Sequence, residues 1–223
     1  MKLIIGNKNY SSWSLRAWLL LKGLEIPFEE EALSFNDPEF KSRVLRYSPT
    51  GMVPVLVDGD LAVWESLAIV EYVAEKMPER HVWPELARAR ARARSICAEM
   101  HAGFSALRNG MPMNCELTFP SPPPDLAVRR DIARIIQIWT EHRAQFGAGG
   151  PFLFGAFSGA DAYFSPVVRR FLAFNVPLPE VAARYVAAID QLPAMREWVE
   201  KGLREHDFVE MDEPFREPPA KAK

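Results

Sequence analysis

Three short stretches carry residue types that do chemistry when a fold gathers them. The first is Ser11-Ser12-Trp13-Ser14-Leu15-Arg16, where hydroxyls stand at the expected start of a helix. Hydroxyl donors and the positive end of a helix together stabilise an anion, although serine is also an ordinary N-cap. The second is Ser48-Pro49-Thr50-Gly51-Met52-Val53-Pro54-Val55-Leu56, with a proline at the mouth of a strand. That proline is either a plain first-strand residue or a cis one that turns the Val53 backbone outward toward a ligand. The third is Glu65-Ser66, an acid and an N-cap serine where a strand gives way to a helix. Free helix N–H groups and a hydroxyl suit a carboxylate, and the acid beside them suits an ammonium; the pair fits an α-amino acid. A cap next to a surface acid is the plainer use.

Short elements must hold these stretches. Lys2 to Gly6 is apolar and β-branched and is followed by Asn7-Lys8-Asn9, which reads as a buried strand and a turn. Ser14 to Lys22 is rich in helix formers and stops at Gly23. A second strand is expected over Phe28 to Leu33 and a short helix over Pro38 to Tyr47. Val55-Leu56-Val57 and Ala62-Val63-Trp64 flank Asp58-Gly59-Asp60, a hairpin signal, and Ser66 to Met77 reads as a helix with Ser66 as its N-cap. The order strand, helix, strand, helix, hairpin, helix predicts a small α/β layer over residues 1–77. Residues 78–84, with Pro78 and Pro84 at the ends, form the expected linker, and residues 85–223 an all-α domain. Its helices are expected over Glu85 to Gly110, Leu126 to Phe146, Ser158 to Phe174, Pro179 to Gln191 and Ala194 to Glu205. Arg88, Arg90, Arg92 and Arg94 alternate with alanine, yet both residue types favour helix, so this stretch stays helical with like-charged i,i+4 pairs. From Glu213 onward the tail is expected to fray.

Composition excludes several function classes. With 223 residues, 48% of them hydrophobic, the chain can bury a core without disulfides or metal. A formal charge of only -2 gives no broad field for nucleic acid or anionic lipid. The longest apolar run, Ala17 to Leu21, is far short of the roughly 20 residues of a membrane span. Cys97 and Cys115 form no C-x-x-C pair, so a reducing, cytoplasmic location without disulfides is expected. His81, His101, His142 and His206 are too scattered for metal-ligand spacing, and no metal is expected. Gly155-Ala156-Phe157-Ser158-Gly159 misses the G-x-S-x-G pattern by one position, and Gly147-Ala148-Gly149-Gly150 lacks the Lys-Ser/Thr of a phosphate loop.

Taken together, S-x-x-S-x-R, V-P-V-L, E-S-x-A-I and Ser158-Gly159-Ala160-Asp161 resemble the cytosolic glutathione S-transferase family along the whole chain. The resemblance implies a thioredoxin-like first domain followed by an all-helical second. It implies glutathione as co-substrate, held by Val53 and Pro54 at its cysteinyl part, by Glu65 and Ser66 at its γ-glutamyl part, and beside Trp13. Ser11 is the implied activator of the sulfur, with adjacent Ser12 as the alternative, and a homodimer and an apolar electrophile are the implied partners. Ser158 and Asp161 look like the family's capping box, a structural pair.

The required chemistry has a size. A free thiol of pKa ~8.5 is only about 3% thiolate at pH 7, and the thiolate is the nucleophile. Lowering that pKa by ~2 units takes about 2.7 kcal/mol. A hydrogen bond to a charged sulfur gives roughly 1.5–3 kcal/mol and a helix N-terminus about 0.3–1 more, so one serine at a helix start is enough.

The motif resembles the zeta class most, which includes maleyl keto acid isomerases. That class carries cysteine where this chain has Trp13 and glutamine where it has Met52. Lys41, Arg16 or Arg108 is the expected replacement at the glycyl end, and the electrophile pocket is expected among Asn7 to Tyr10, Trp13, Arg108, Met111, Met113 and Tyr163 to Arg169. A non-catalytic binding protein of the same fold and a glutathione-dependent isomerase are the alternative functions.

Overall fold

The computed structural model describes residues 1–123 and 125–216. Its first part is a four-stranded sheet of β1 (Lys2–Ile5), β2 (Glu29–Ala32), β3 (Val55–Asp58) and β4 (Leu61–Trp64) in the order β2-β1-β3-β4. β1 runs parallel to β2 and antiparallel to β3, with Ile4 opposite Val55, and β3 pairs antiparallel with β4 across the Gly59-Asp60 turn. Leu3, Ile4 and Ile5 are all buried, so β1 is covered on both faces, as its unbroken apolar run requires.

Helices α1 (Ser12–Gly23), α2 (Phe40–Val44) and α3 (Ser66–Lys76) complete this layer. α1 begins two residues before the expected Ser14, because the chain turns tightly after β1: the Ser11 N–H donates to the Asn7 carbonyl at 2.8 Å. A short 3-10 turn over Pro78–Arg80 leads out of α3.

Among the described residues six α-helices follow: α4 (Ala87–Ala102), α5 (Ser105–Gly110), α6 (Leu126–Phe146), α7 (Gly159–Ala173), α8 (Glu180–Asp190) and α9 (Pro193–Leu203). The expected helix over Glu85 to Gly110 is two helices, because Phe104 takes φ +58 and buries its ring there. The arginine-alanine stretch is helical, and Arg94 escapes its like-charged neighbours by pairing with Glu71 of α3 at 2.8 Å.

α7 is the central pillar and packs against α1 and α4. It starts with the capping box: the Ser158 N–H and hydroxyl both donate to Asp161 Oδ2 at 2.9 Å, and the Leu153 N–H donates to Oδ1 at 3.0 Å.

The expectation of a frayed tail from Glu213 is overturned for the described residues. Glu213 is buried and accepts from the Tyr10 hydroxyl at 2.7 Å and from Asn114 Nδ2 at 3.0 Å. Upstream, Glu205 accepts from the N–H groups of Lys8 and Asn9, and Asp207 from Asn7 Nδ2 at 2.6 Å. The final residues of the tail, 217–223, lie outside the described residues, as does Pro124 of the proline-rich loop. Among the described residues no helix is long and apolar enough to cross a membrane, and no group of three His, Cys, Asp or Glu side chains could hold a metal ion.

Candidate active site

The end of β1 and the start of α1 are tied together by serines. Ser14 Oγ accepts the Gly6 N–H at 3.1 Å and the Ser11 hydroxyl at 2.7 Å. Ser12 Oγ instead accepts from Arg170 Nη2 of α7 at 3.3 Å, which leaves its own proton free. Neither hydroxyl caps α1; the Ser12 N–H donates to the Tyr10 carbonyl at 2.8 Å, and the next N–H groups, of Trp13 and Ser14, remain directed at whatever lies in front of the helix.

Cations surround this helix start. Arg170 is buried and anchored by donation from Nε to the Met111 carbonyl at 2.7 Å; burial, with Arg16 and Arg108 nearby, pushes its pKa down to about 9. Arg16 is wholly buried between the rings of Trp13 and Tyr163, 4.0 and 4.7 Å from their centroids, and donates from Nε to the Tyr163 carbonyl. Its Nη1 and Nη2 have no hydrogen-bond partner among the described residues, and burial pushes its pKa down to about 10. Both guanidiniums stay charged at neutral pH. The two cysteines are buried, and burial holds both thiols up, Cys115 at about 11, so neither supplies a thiolate.

In front of the helix start lies a cleft of about 460 Å³. Ser11, Ser12 and Trp13 line one side and Gly51, Met52 and Val53 the other, with Tyr10, Phe35, Phe40, Arg108, Asn109, Arg170, Met211 and Asp212 completing it. The Val53–Pro54 bond is cis, and Pro54 is buried just before β3. Met52 is 68% exposed. Of the expected pocket walls, Tyr10, Trp13 and Arg108 line the cleft, whereas Met111, Met113 and Tyr163 are core, and Asn7 to Asn9 are held by the tail. Arg16 cannot serve the glycyl end of a ligand, because it is buried beneath Trp13. A cleft of about 510 Å³ by Trp83, Leu86, Phe146 and Phe157 is larger but holds no such group of hydroxyls and cations.

Glu65 and Ser66 do not line this cleft but adjoin it. The expectation that Ser66 caps α3 is corrected: Glu65 occupies the cap position at φ +70, and Ser66 is the first helical residue. Its side chain therefore points inward, 3.1 Å from the Tyr163 hydroxyl. That hydroxyl is 2.7 Å from His101 Nδ1, and His101 Nε2 is 3.8 Å from a Glu65 carboxylate oxygen. Trp13 meets the His101 ring edge to face at 5.4 Å, which joins this cluster to the start of α1.

Sequence reasoning missed His101 and Arg170. His101 was weighed only as a metal ligand, yet it follows buried Cys97 by four positions, one turn along the inward stripe of α4. Arg170 stands one position past the stretch expected to wall the pocket.

A small mixed sheet with helices, feeding an all-helical second part and facing it across a serine-lined cleft, is the thioredoxin-like glutathione transferase fold. The crystal structure of a glutathione transferase homolog from Burkholderia GL BGR1 with bound glutathione superposes with a TM-score of 0.68 at 23% identity, covering 92% of this chain and 98% of that one. The chain belongs to the cytosolic glutathione S-transferase family: residues 10–76 match its N-terminal domain and residues 125–201 its C-terminal domain. Dichloromethane dehalogenase of Methylorubrum extorquens is 44% identical over 62 residues, 27% of this chain and 22% of the dehalogenase. The zeta-class glutathione S-transferase of Euphorbia esula is 25% identical over 201 residues, 86% of this chain and 87% of that protein. The chain spans less than half the length of the first curated relatives that it matches.

Proposed function

We propose that this protein is a glutathione transferase that binds glutathione, ionises its thiol at the start of α1 and conjugates it to an apolar electrophile. The observation that carries this reading is the pair Ser11 and Ser12: two hydroxyls at an uncapped helix start, backed by buried Arg170, across a cleft from Val53. A hydroxyl bond, the helix end and a nearby guanidinium all favour the anion, and the first alone approaches the ~2.7 kcal/mol required. Val53 and Pro54 take the cysteinyl part, Glu65 and Ser66 the γ-glutamyl part, and Trp13 covers the junction between them. Residues 1–77 hold glutathione, 78–84 connect, and 85–223 present the electrophile. A cytoplasmic homodimer with a role in detoxification completes the reading, supported by family membership.

Register of the motif assigns thiol activation to Ser11, whose hydroxyl must leave Ser14 to reach a sulfur. Ser12 is the competing assignment, since its proton is already free. Ser11→Ala and Ser12→Ala, assayed with glutathione and an activated aryl chloride at pH 7, decide between them. The responsible variant loses roughly tenfold to a hundredfold in kcat/KM, the worth of one charged hydrogen bond. Full activity in both variants contradicts serine activation.

One observation favours a second reading, a glutathione-dependent isomerase of an unsaturated keto acid. Arg108 and Arg170 both line the cleft and can pair with a carboxylate. Turnover of such an acid without loss of glutathione distinguishes it.

A further inference from the structure

The tail that packs on the turn before α1 brings an acid into the cleft. Val209 and Glu213 are both buried, and Glu213 is tied to the Tyr10 hydroxyl and to Asn114. The short 3-10 turn between them, Glu210–Asp212, is therefore staked at both ends, and the Asp212 N–H donates back to the Val209 carbonyl at 2.9 Å. This holds Met211 and Asp212 in the cleft wall. Among the described residues, the charged side chains that line the cleft are Arg108, Arg170 and Asp212. Both guanidiniums are tied to backbone carbonyls, Arg170 to those of Met111 and Pro166 and Arg108 to those of Met100 and Gly103. The Asp212 carboxylate is half-buried, and no hydrogen bond reaches it among the described residues. It acts on Arg170 through space, and each charge favours the ionised form of the other.

We infer that Asp212 restricts the electrophile to uncharged molecules, because it offsets the cations of the cleft and leaves none to spare for a carboxylate on the substrate. This rests on the glutathione transferase reading above and names the residue that sets its substrate class. The charges decide it. Two guanidiniums and one carboxylate leave the cleft wall one positive charge in excess. The glutathione thiolate, formed beside Ser11 and Ser12 where Arg170 donates to the Ser12 oxygen, takes up that excess. The glycyl carboxylate of glutathione stays outside this count, since Lys41, whose stem lies against Gly51 beside Met52, is a cation on that rim. With the thiolate in place the wall is balanced. An uncharged electrophile then enters at no electrostatic cost, whereas an anionic one loses water and gains no partner. Trp13, Phe35, Phe40 and Met211 give the uncharged molecule apolar contact. Without Asp212 one guanidinium is left over after the thiolate forms, and a substrate carboxylate pairs with it. Asp212 thus favours conjugation of an apolar electrophile over turnover of a keto acid.

The test uses the whole protein with saturating glutathione at pH 7 and two ring chlorides: chlorodinitrobenzene, which is uncharged, and the chlorodinitrobenzoate that adds a carboxylate to the same ring. Each kcat/KM is divided by the rate constant of the uncatalysed reaction with glutathione, so that the ratio of the two reports recognition alone. The unaltered protein is expected to favour the uncharged chloride by roughly tenfold or more, the effect of a like charge several ångströms away near a protein surface. Asp212→Asn, which keeps the shape and loses no hydrogen bond, raises kcat/KM for the benzoate by about tenfold, chiefly through KM, and closes the ratio. Asp212→Glu, which keeps the charge, keeps the ratio. A merely structural role would lower both substrates alike and leave the ratio where it was. No preference for the uncharged chloride in the unaltered protein overturns the inference alone, as does an unchanged ratio in Asp212→Asn. Failure of the unaltered protein to conjugate either chloride overturns the transferase reading on which the inference rests.

Discussion

Helices α3 and α7 both begin with a serine and an acid, and the two starts are used in opposite ways. At α7, Ser158 is the cap and Asp161 the third helical residue, and the pair satisfies itself and Leu153 with three hydrogen bonds in a fully buried setting. At α3 the acid comes first. Glu65 is forced to φ +70, makes no cap bond and leaves its carboxylate outside, while Ser66 turns inward to Tyr163. A spacing of three closes a helix start on itself, and a spacing of one leaves it open. The closed start stabilises the fold, and the open start has helix N–H groups and a carboxylate to spare for a ligand. Backbone conformations costing about 1–3 kcal/mol persist where function uses them.

The largest way to break the comparison is Asp161→Ala. Three donors lose their acceptor, so unfolding free energy falls by about 3 kcal/mol or more, read as an earlier urea midpoint. The same carboxyl gives a pH signature. Burial pushes Asp161 up to about 6 from its ordinary 3.8 despite the hydrogen bonds it accepts. The folded state thus holds a proton that the unfolded state has released, and stability is lost as pH rises from about 4 to about 6, then levels. Asp161→Asn flattens that window, and an unchanged slope contradicts the assignment.

Ser66→Ala removes a buried bond to Tyr163 and lowers the unfolding free energy by about 1 kcal/mol, and it weakens glutathione binding by about 1 kcal/mol or more, measured by calorimetry. Equal binding in the variant removes Ser66 from the γ-glutamyl site. The smallest effect expected is from Glu65→Gly. Relief of the positive φ stabilises the fold by up to about 1 kcal/mol, while glutathione binding weakens through loss of the ammonium contact. A destabilised variant would mean that Glu65 serves the fold instead.

Much of the frame was legible because it is local. The apolar run of β1, the Asp-Gly turn between β3 and β4, the Val53–Pro54 step and the capping box are each written within a few residues. Ser66 was misread as a cap because propensity alone favours serine there, and no local signal announces that Glu65 will accept a positive φ. The split of the α4–α5 stretch at Phe104 was hidden for the same reason, since a buried aromatic ring holds the left-handed turn. His101 and Tyr163 are 62 positions apart, Ser66 and Tyr163 97, and Ser12 and Arg170 158. Contacts over such separations follow from the packing of α7 against α1 and α4, which no local pattern encodes. The docking of the tail onto Tyr10 through Glu213 belongs to the same class.

The central claim is that the start of α1 holds a thiolate, and an ultraviolet difference titration of glutathione into the protein from pH 5 to 9 tests it most directly. The account predicts that thiolate absorbance of the bound glutathione rises below pH 7, well before that of the free thiol. Binding without ionisation below the free thiol's range, or no binding, would contradict it and leave the fold serving another purpose.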